Sequence, residues 1–374
     1  MAKPPLSMRA CPPRSLSARI SRPPSRPAAR AMAPTGASLR GELTVYKNDP
    51  TLVMFTSGPE VSDSEGTAVF IGGLTDGPMS LSYLPALAAA LEEKRWRLCQ
   101  PTLSSAYLGF GVSSLDTDAE ELDLVVDRIL ASASAIGEGD ERTPKKHAVA
   151  LVGHSTGCQD IVHFLRQGRR RADIAAAVLQ APVSDREAMC MEFGEEAIAA
   201  ANAAAREMCA KGGGILMMPR WTPGTFGAPM SAARYASLSG RMTLDDLFSS
   251  DLTAAELSQQ IGHMGHASAP PSLWVRSADD EYAPCSKREG GSARFDALDE
   301  DKRRDAADAG GAFEKAIKNA VRGGAEGNAE SRKVFPILAI AQYGTEATAN
   351  HALDGCGDWF AAKVASFVTK KSAA

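Results

Sequence analysis

The sequence of 374 residues contains no apolar run near the roughly 18 to 20 residues that a membrane helix needs, and its mean hydropathy is −0.17. A helical membrane span is therefore not expected; the longest apolar runs, such as Ile174 to Leu179, have the length of buried strands. The seven cysteines (Cys11, Cys99, Cys158, Cys190, Cys209, Cys285 and Cys356) are scattered. No CxxC pair and no Cys/His metal spacing occurs, so they read as reduced, mostly buried thiols, and no metal or cofactor is called for. Histidine is scarce, with six in all, so each can be weighed individually.

Acid is missing from the first forty residues, which hold Lys3, Arg9, Arg14, Arg19, Arg22, Arg26, Arg30 and Arg40 before the first carboxylate at Glu42. Setting that segment aside takes eight of the 41 basic residues and leaves 33 against 45 acidic ones, a balance of −12. The body is acidic and carries no basic stripe, which argues against a nucleic-acid partner. A leader rich in Arg, Ser and Pro without acid, residues 1 to 40, reads as an organelle transit peptide, with a plain disordered tail as the other reading. Its paired prolines would break the amphipathic helix of a mitochondrial presequence, which favours the plastid. A start at Met32 would leave a cytoplasmic form. A fluorescent fusion of residues 1 to 45 is expected to enter plastids; a cytosolic signal would overturn the targeting expectation.

From residue 41 onward strands and helices alternate. Leu43 to Lys47 and Leu52 to Thr56 read as strands around the turn signal Asn48-Asp49-Pro50. Thr67 to Ile71, Arg95 to Cys99, His147 to Val152, Ile174 to Leu179, Ser272 to Arg276 and Val334 to Ile340 follow as apolar strands. Helices are expected over Leu81 to Lys94, Asp116 to Leu130, Cys158 to Arg166, Glu196 to Met208 and from about Leu353. This order predicts one α/β domain over 41–374, with a mostly parallel central sheet and helices on both faces. Two stretches interrupt it: about 186–268, read as a helical cap inserted over the site, and about 286–333, a charged surface insertion. Met217, Met218, Trp221 and Phe226 are candidate pocket walls of the cap or plain cap core.

Gly153-His154-Ser155-Thr156-Gly157 matches G-x-S-x-G, and a buried strand before it and a helix after it are the context that motif requires. A serine on so tight a turn has strained backbone, and neighbours two positions away must lack side chains for the turn to close. This makes Ser155 the candidate nucleophile of an α/β-hydrolase fold. An oxyanion hole should combine the N–H of Thr156 with one from the loop Gly72-Gly73-Leu74-Thr75-Asp76-Gly77, for which Leu74 is chosen. His351, late in the chain after the last strand, fits the order Ser…Asp…His. His154, His163, His263 and His266 fit it less well. The acid falls in Asp279-Asp280-Glu281: Asp280 is chosen, Asp279 is the runner-up, and Asp185 is a third candidate read preferentially as a salt-bridged turn.

These blocks, with Cys158-Gln159-Asp160, Gln180-Ala181-Pro182-Val183-Ser184-Asp185-Arg186-Glu187, Asp245-Asp246-Leu247-Phe248-Ser249-Ser250-Asp251-Leu252, Asp280-Glu281-Tyr282-Ala283-Pro284 and Asn350-His351-Ala352, resemble the α/β-hydrolase family that includes the fungal fusarinine C (siderophore) esterases. The resemblance runs from about Leu43 to the C-terminus, although the charged segment 286–333 is longer than that family suggests. It implies an esterase with a triad of Ser155, an acid in Asp279-Asp280 and His351. The expected function is hydrolysis of a small-molecule carboxylic ester through an acyl-enzyme. The alternatives are a slow-turnover binding or sensing protein on the same fold, and a thioesterase or acyltransferase. Slow turnover with tight saturable binding would mark the former, and partition of the acyl group to an added alcohol or thiol the latter.

Overall fold

Within each central strand, successive side chains turn to opposite faces of the sheet, and both faces are apolar. In the strand Gly66–Ile71, Ala68 and Phe70 join one core cluster while Val69 and Ile71 join another. Such a strand can only be buried between two layers of helix. The computed structural model describes residues 36–135, 147–277, 280–283, 319, 337–343 and 347–372. The leader up to residue 35, most of the segment 286–333 and Asp279 lie outside them.

The strands are β1 (Gly41–Asn48), β2 (Thr51–Ser57), β3 (Gly66–Ile71), β4 (Trp96–Pro101), β5 (Ala148–His154), β6 (Ile174–Gln180), β7 (Ser272–Ser277), β8 (Ile337–Tyr343) and β9 (Ala347–Thr348). Their order across the sheet is β1-β2-β4-β3-β5-β6-β7-β8-β9. The run from β4 through β8 is parallel, and antiparallel strands flank it at both sides. The helices are α1 (Leu84–Glu92), α2 (Leu115–Ser134), α3 (Gly157–Gln167), α4 (Asp185–Phe193), α5 (Glu195–Ala210), α6 (Ala232–Ser239), α7 (Ala254–Ile261) and α8 (Gly357–Ser372).

One face of the sheet is covered by α1 and α8, through Leu84, Leu87, Leu91, Phe360, Val364 and Val368. The other is covered by α2, α3 and α7, through Leu122, Val126, Ile161, Phe164, Leu257 and Ile261. Burying side chains of this size contributes roughly 1.5–3 kcal/mol each. Between β6 and β7 the chain leaves the sheet for α4 to α7. Met189, Ile198, Met218, Met230 and Tyr235 of this excursion form a third core with Phe110.

Several boundaries differ from expectation. Helix α1 starts at Leu84 rather than Leu81, with Pro85 in its first turn, where the missing N–H costs nothing. Helix α8 starts at Gly357 rather than near Leu353, because Leu353 and Gly355 have φ of 58° and 75°, values an α-helix excludes. Strand β8 is described from Ile337 to Tyr343, later than the expected Val334 to Ile340; residues 334–336 lie outside the described residues. Helix α5 matches the helix expected over Glu196 to Met208, whereas α4, α6 and α7 were not expected. Met217, Trp221 and Phe226 lie at the surface, with Trp221 75% exposed, whereas Met218 belongs to the core of the excursion.

Candidate active site

The G-x-S-x-G turn shows why both glycines are needed. Strand β5 ends at His154 and α3 begins at Gly157, so the chain reverses within two residues. Ser155 has φ of 53°, a left-handed conformation costly for a non-glycine residue. A Cβ at Gly153 would lie 2.5 Å from the Gly157 carbonyl oxygen, and one at Gly157 would lie 2.2 Å from that of Ile71. The turn is held by Ser155 N–H donating to the Gln180 carbonyl at 3.0 Å and by Cys158 N–H donating to that of Ser155 at 2.9 Å. The loop after β3 presses on the serine: a Cβ at Gly73 would stand 3.2 Å from Ser155 Oγ.

His351 follows β9 and is 2% exposed. Its Nδ1 lies 2.9 Å from both Oδ1 and Oδ2 of Asp280, itself 1% exposed. Its backbone N–H donates to Glu281 Oε2 at 3.0 Å, and the Tyr282 ring meets the imidazole edge-on at 4.9 Å. Neighbouring carboxylates therefore do different work: Asp280 faces the ring, and Glu281 holds the backbone that carries it. Asp279 lies outside the described residues. Asp185 instead accepts from Gln159 Nε2 at 2.8 Å. The salt bridges expected at its turn are made by its neighbour Arg186, to Asp246 and Asp251.

The Leu74 N–H, the expected oxyanion donor, donates to Thr156 Oγ1 at 2.6 Å. The two residues chosen for the oxyanion hole are thus adjacent, but the threonine hydroxyl already occupies an acceptor position on the Leu74 amide. In the same loop the Gly73 N–H donates to Asp76 Oδ2 at 2.7 Å.

A buried polar network that sequence reasoning missed lies beneath these groups. Gln180, at the end of β6, is fully buried. Its Nε2 donates to the His351 carbonyl at 2.8 Å, which turns Oε1 toward His154 Nδ1 at 2.5 Å and Tyr83 OH at 3.2 Å. Because Oε1 only accepts, Nδ1 of His154 carries a proton. His154 Nε2 lies 3.9 Å from Asp76 Oδ2, and the His154 and His351 rings are 4.8 Å apart. One amide thus connects the serine turn, the histidine loop and, through His154 and Asp76, the Gly73 loop. The available signal was an amide closing an otherwise apolar strand, where burial requires partners.

Cys158 is buried, its thiol pushed well above the usual range by desolvation, and Sγ contacts the Gly153 and Gln180 carbonyls; it packs. His163 meets Asp116 at 2.7 Å, and His263 Nε2 donates to the Val162 carbonyl at 2.9 Å. No cluster of three or more potential metal ligands occurs among the described residues.

Where α4 and α6 meet α2 and α3, Arg234 Nη1 donates to both carboxylate oxygens of Asp245 at 2.7 and 2.9 Å, and its Nε donates to the Phe110 carbonyl. Asp118, Asp160 and Asp185 are buried around them. Burial, and next the neighbouring Asp245, raises Asp185 to about 7; burial raises Asp118 to about 6. These carboxyls keep protons in the folded state that the unfolded chain gives up near pH 4. Their contribution is therefore complete below that pH and is lost as pH rises through about 6 to 7. The melting temperature is expected to fall between pH 5 and pH 8, and to fall less in Asp118→Asn and Asp185→Asn. Equal falls in wild type and variants, read by thermal melting, would contradict this.

The family described as "Protein of unknown function (DUF1749)" matches residues 29–330. The chain belongs to this family. Fusarinine C esterase sidJ of Aspergillus fumigatus is 31% identical over 249 residues, covering 57% of this chain and 69% of that protein. Siderophore hydrolase EstB from Aspergillus fumigatus has a TM-score of 0.65 at 24% identity, covering 90% of this chain and 99% of that one. An α/β-hydrolase fold protein of unknown function has a TM-score of 0.56 at 18% identity, covering 89% and 97%. The fold of this DUF1749 member is the α/β-hydrolase fold. No helix among its described residues is long and apolar enough to cross a membrane.

Proposed function

We propose that this ester hydrolase works through Ser155 as nucleophile, His351 as base and Asp280 as the carboxylate that orients it. The observation that carries the reading is the buried His351–Asp280 contact at 2.9 Å, in a chain whose serine stands on a strained strand-to-helix turn. With Nδ1–H donating to Asp280, Nε2 of His351 is the basic nitrogen. It takes the Ser155 proton as Oγ attacks the ester carbonyl. It then protonates the leaving alcohol, and a water activated by the same nitrogen releases the acid.

The developing oxyanion accepts from the N–H groups of Leu74 and Thr156. Because Leu74 N–H donates to Thr156 Oγ1 in the resting protein, the oxyanion replaces that hydroxyl as acceptor. Gln180 and His154 act as positioning residues, since their contacts reach the backbone of both Ser155 and His351. Gln180→Leu is expected to lower kcat by about 10- to 100-fold, with KM changing less. An unchanged kcat in a folded variant would remove Gln180 from this role.

The substrate is proposed to be a polar or amphipathic small-molecule ester. Its class is tested by comparing wild type with Ser155→Ala across acyl length and leaving group, with fusarinine C among the esters. Release of acid only by the wild type supports the reading. Equal release by both proteins would overturn it.

A further inference from the structure

At the end of the sheet opposite the serine turn, a cavity of about 490 Å³ opens between the β1-β2-β4-β3 face and the C-terminal half of α2. Thr67 and Arg97 are the second residues of β3 and β4. The site thus lies roughly 13 Å along β3 from the Ile71 end that leads to the Gly73 loop. Its polar wall is made by Thr44, Thr67, Arg97, Arg128 and Ser132, with Glu42 at the rim.

Arg97 is the decisive residue. It is 8% exposed, and a buried guanidinium has five N–H donors to satisfy. Its Nε has no hydrogen-bond partner. Among the described residues its one ion pair is Nη2 to Glu42 Oε2 at 3.1 Å, and that carboxylate is 60% exposed. A partner so open to water screens a buried cation poorly. Arg128 adds a second cation to the same wall and forms no ion pair among the described residues. His147, held by Thr67 Oγ1 at 2.9 Å, reports the local field: burial and then the Arg97 charge push it down to about 4.

We infer that this cavity is a second ligand site, distinct from the ester-hydrolysing one, that takes the oxyanion group of a small molecule, a phosphate or a carboxylate, on Arg97 and Arg128. Both groups fit the planar, multi-donor face of a guanidinium. The cavity has room for the body of a small metabolite behind the anion, and Thr44 and Ser132 offer it hydroxyls.

The test is thermal melting of the full chain with inorganic phosphate, and separately with acetate, in the low-millimolar range where salting-out is negligible, against sodium chloride at matched ionic strength. A rise of roughly 3 to 5 °C at about a hundredfold excess over the dissociation constant, growing with the logarithm of concentration, is expected with one or both anions. The anion that produces it identifies the oxyanion. The rise should be retained in Ser155→Ala and lost in Arg97→Met, and Arg128→Met should need at least about tenfold more anion for the same rise. If Arg97→Met does not fold, the surface substitution Arg128→Met decides alone. No rise beyond that in sodium chloride with either anion, or the same concentration dependence in wild type and both arginine variants, overturns the proposal. Because the readout is binding, it stands or falls separately from the assignment of Ser155.

Discussion

Ser155→Ala is expected to lower kcat by about 10⁴- to 10⁶-fold and to abolish labelling by a fluorophosphonate probe. The side chain removed is one oxygen, and the Cβ that rests against Gly73 is kept. Serine already holds a left-handed φ at this position, so alanine adds no new backbone strain. The melting temperature should therefore stay close to that of wild type, which separates lost chemistry from lost fold. Residual turnover would report binding and the proposed backbone donors at Leu74 and Thr156. Labelling at the wild-type level would refute the nucleophile assignment.

Asp280→Asn is expected to cost kcat about 10⁴-fold with little change in melting temperature. An amide of the same shape occupies the same buried space, but it can present its NH₂ to His351 Nδ1. That favours the tautomer with the proton on Nε2, where the base must be empty, and removes the charge that stabilises the imidazolium. Two controls make the assignment specific. Asp185→Asn should keep its contact with Gln159 and cost far less, and Glu281→Gln, which touches the His351 backbone rather than the ring, should also cost less. A large loss at Asp185 with a small one at Asp280 would overturn the choice of acid.

The legible and illegible parts of the site divide by the range of the interactions that define them. The serine turn was readable because its determinants lie within a few residues: an apolar strand, two glycines where a Cβ would strike a backbone carbonyl, and a following helix. His351 was singled out by position, from scarcity of histidine and chain order, and the structure sets it against Asp280. The carboxylate partner of His351 was only narrowed, because neighbouring carboxylates on one loop look alike in sequence; among the described residues it is Asp280 that faces the imidazole. Asp280 meets a histidine 71 residues away. Gln180 reaches the His351 carbonyl across 171 residues, and nothing within either segment encodes that meeting. Helices α4, α6 and α7 were missed for a related reason: the apolar positions of α4 and α6 are sorted by a core shared with Phe110 of another segment, and those of α7 by the sheet core it shares with α2 and α3.

The sequence by itself determined the alternation of strand and helix, the parallel sheet that follows from it, and a serine raised at the end of a central strand, because apolar periodicity and glycine sterics act locally. The tertiary structure alone decided which carboxylate faces the histidine and which amide braces it. It also decided that Thr156 holds the Leu74 N–H at rest, and that Arg97 is buried with an unsatisfied donor beside a cavity. Each of these is a contact between segments distant in the chain, set by how the strands stack side by side and where their connecting loops are brought together.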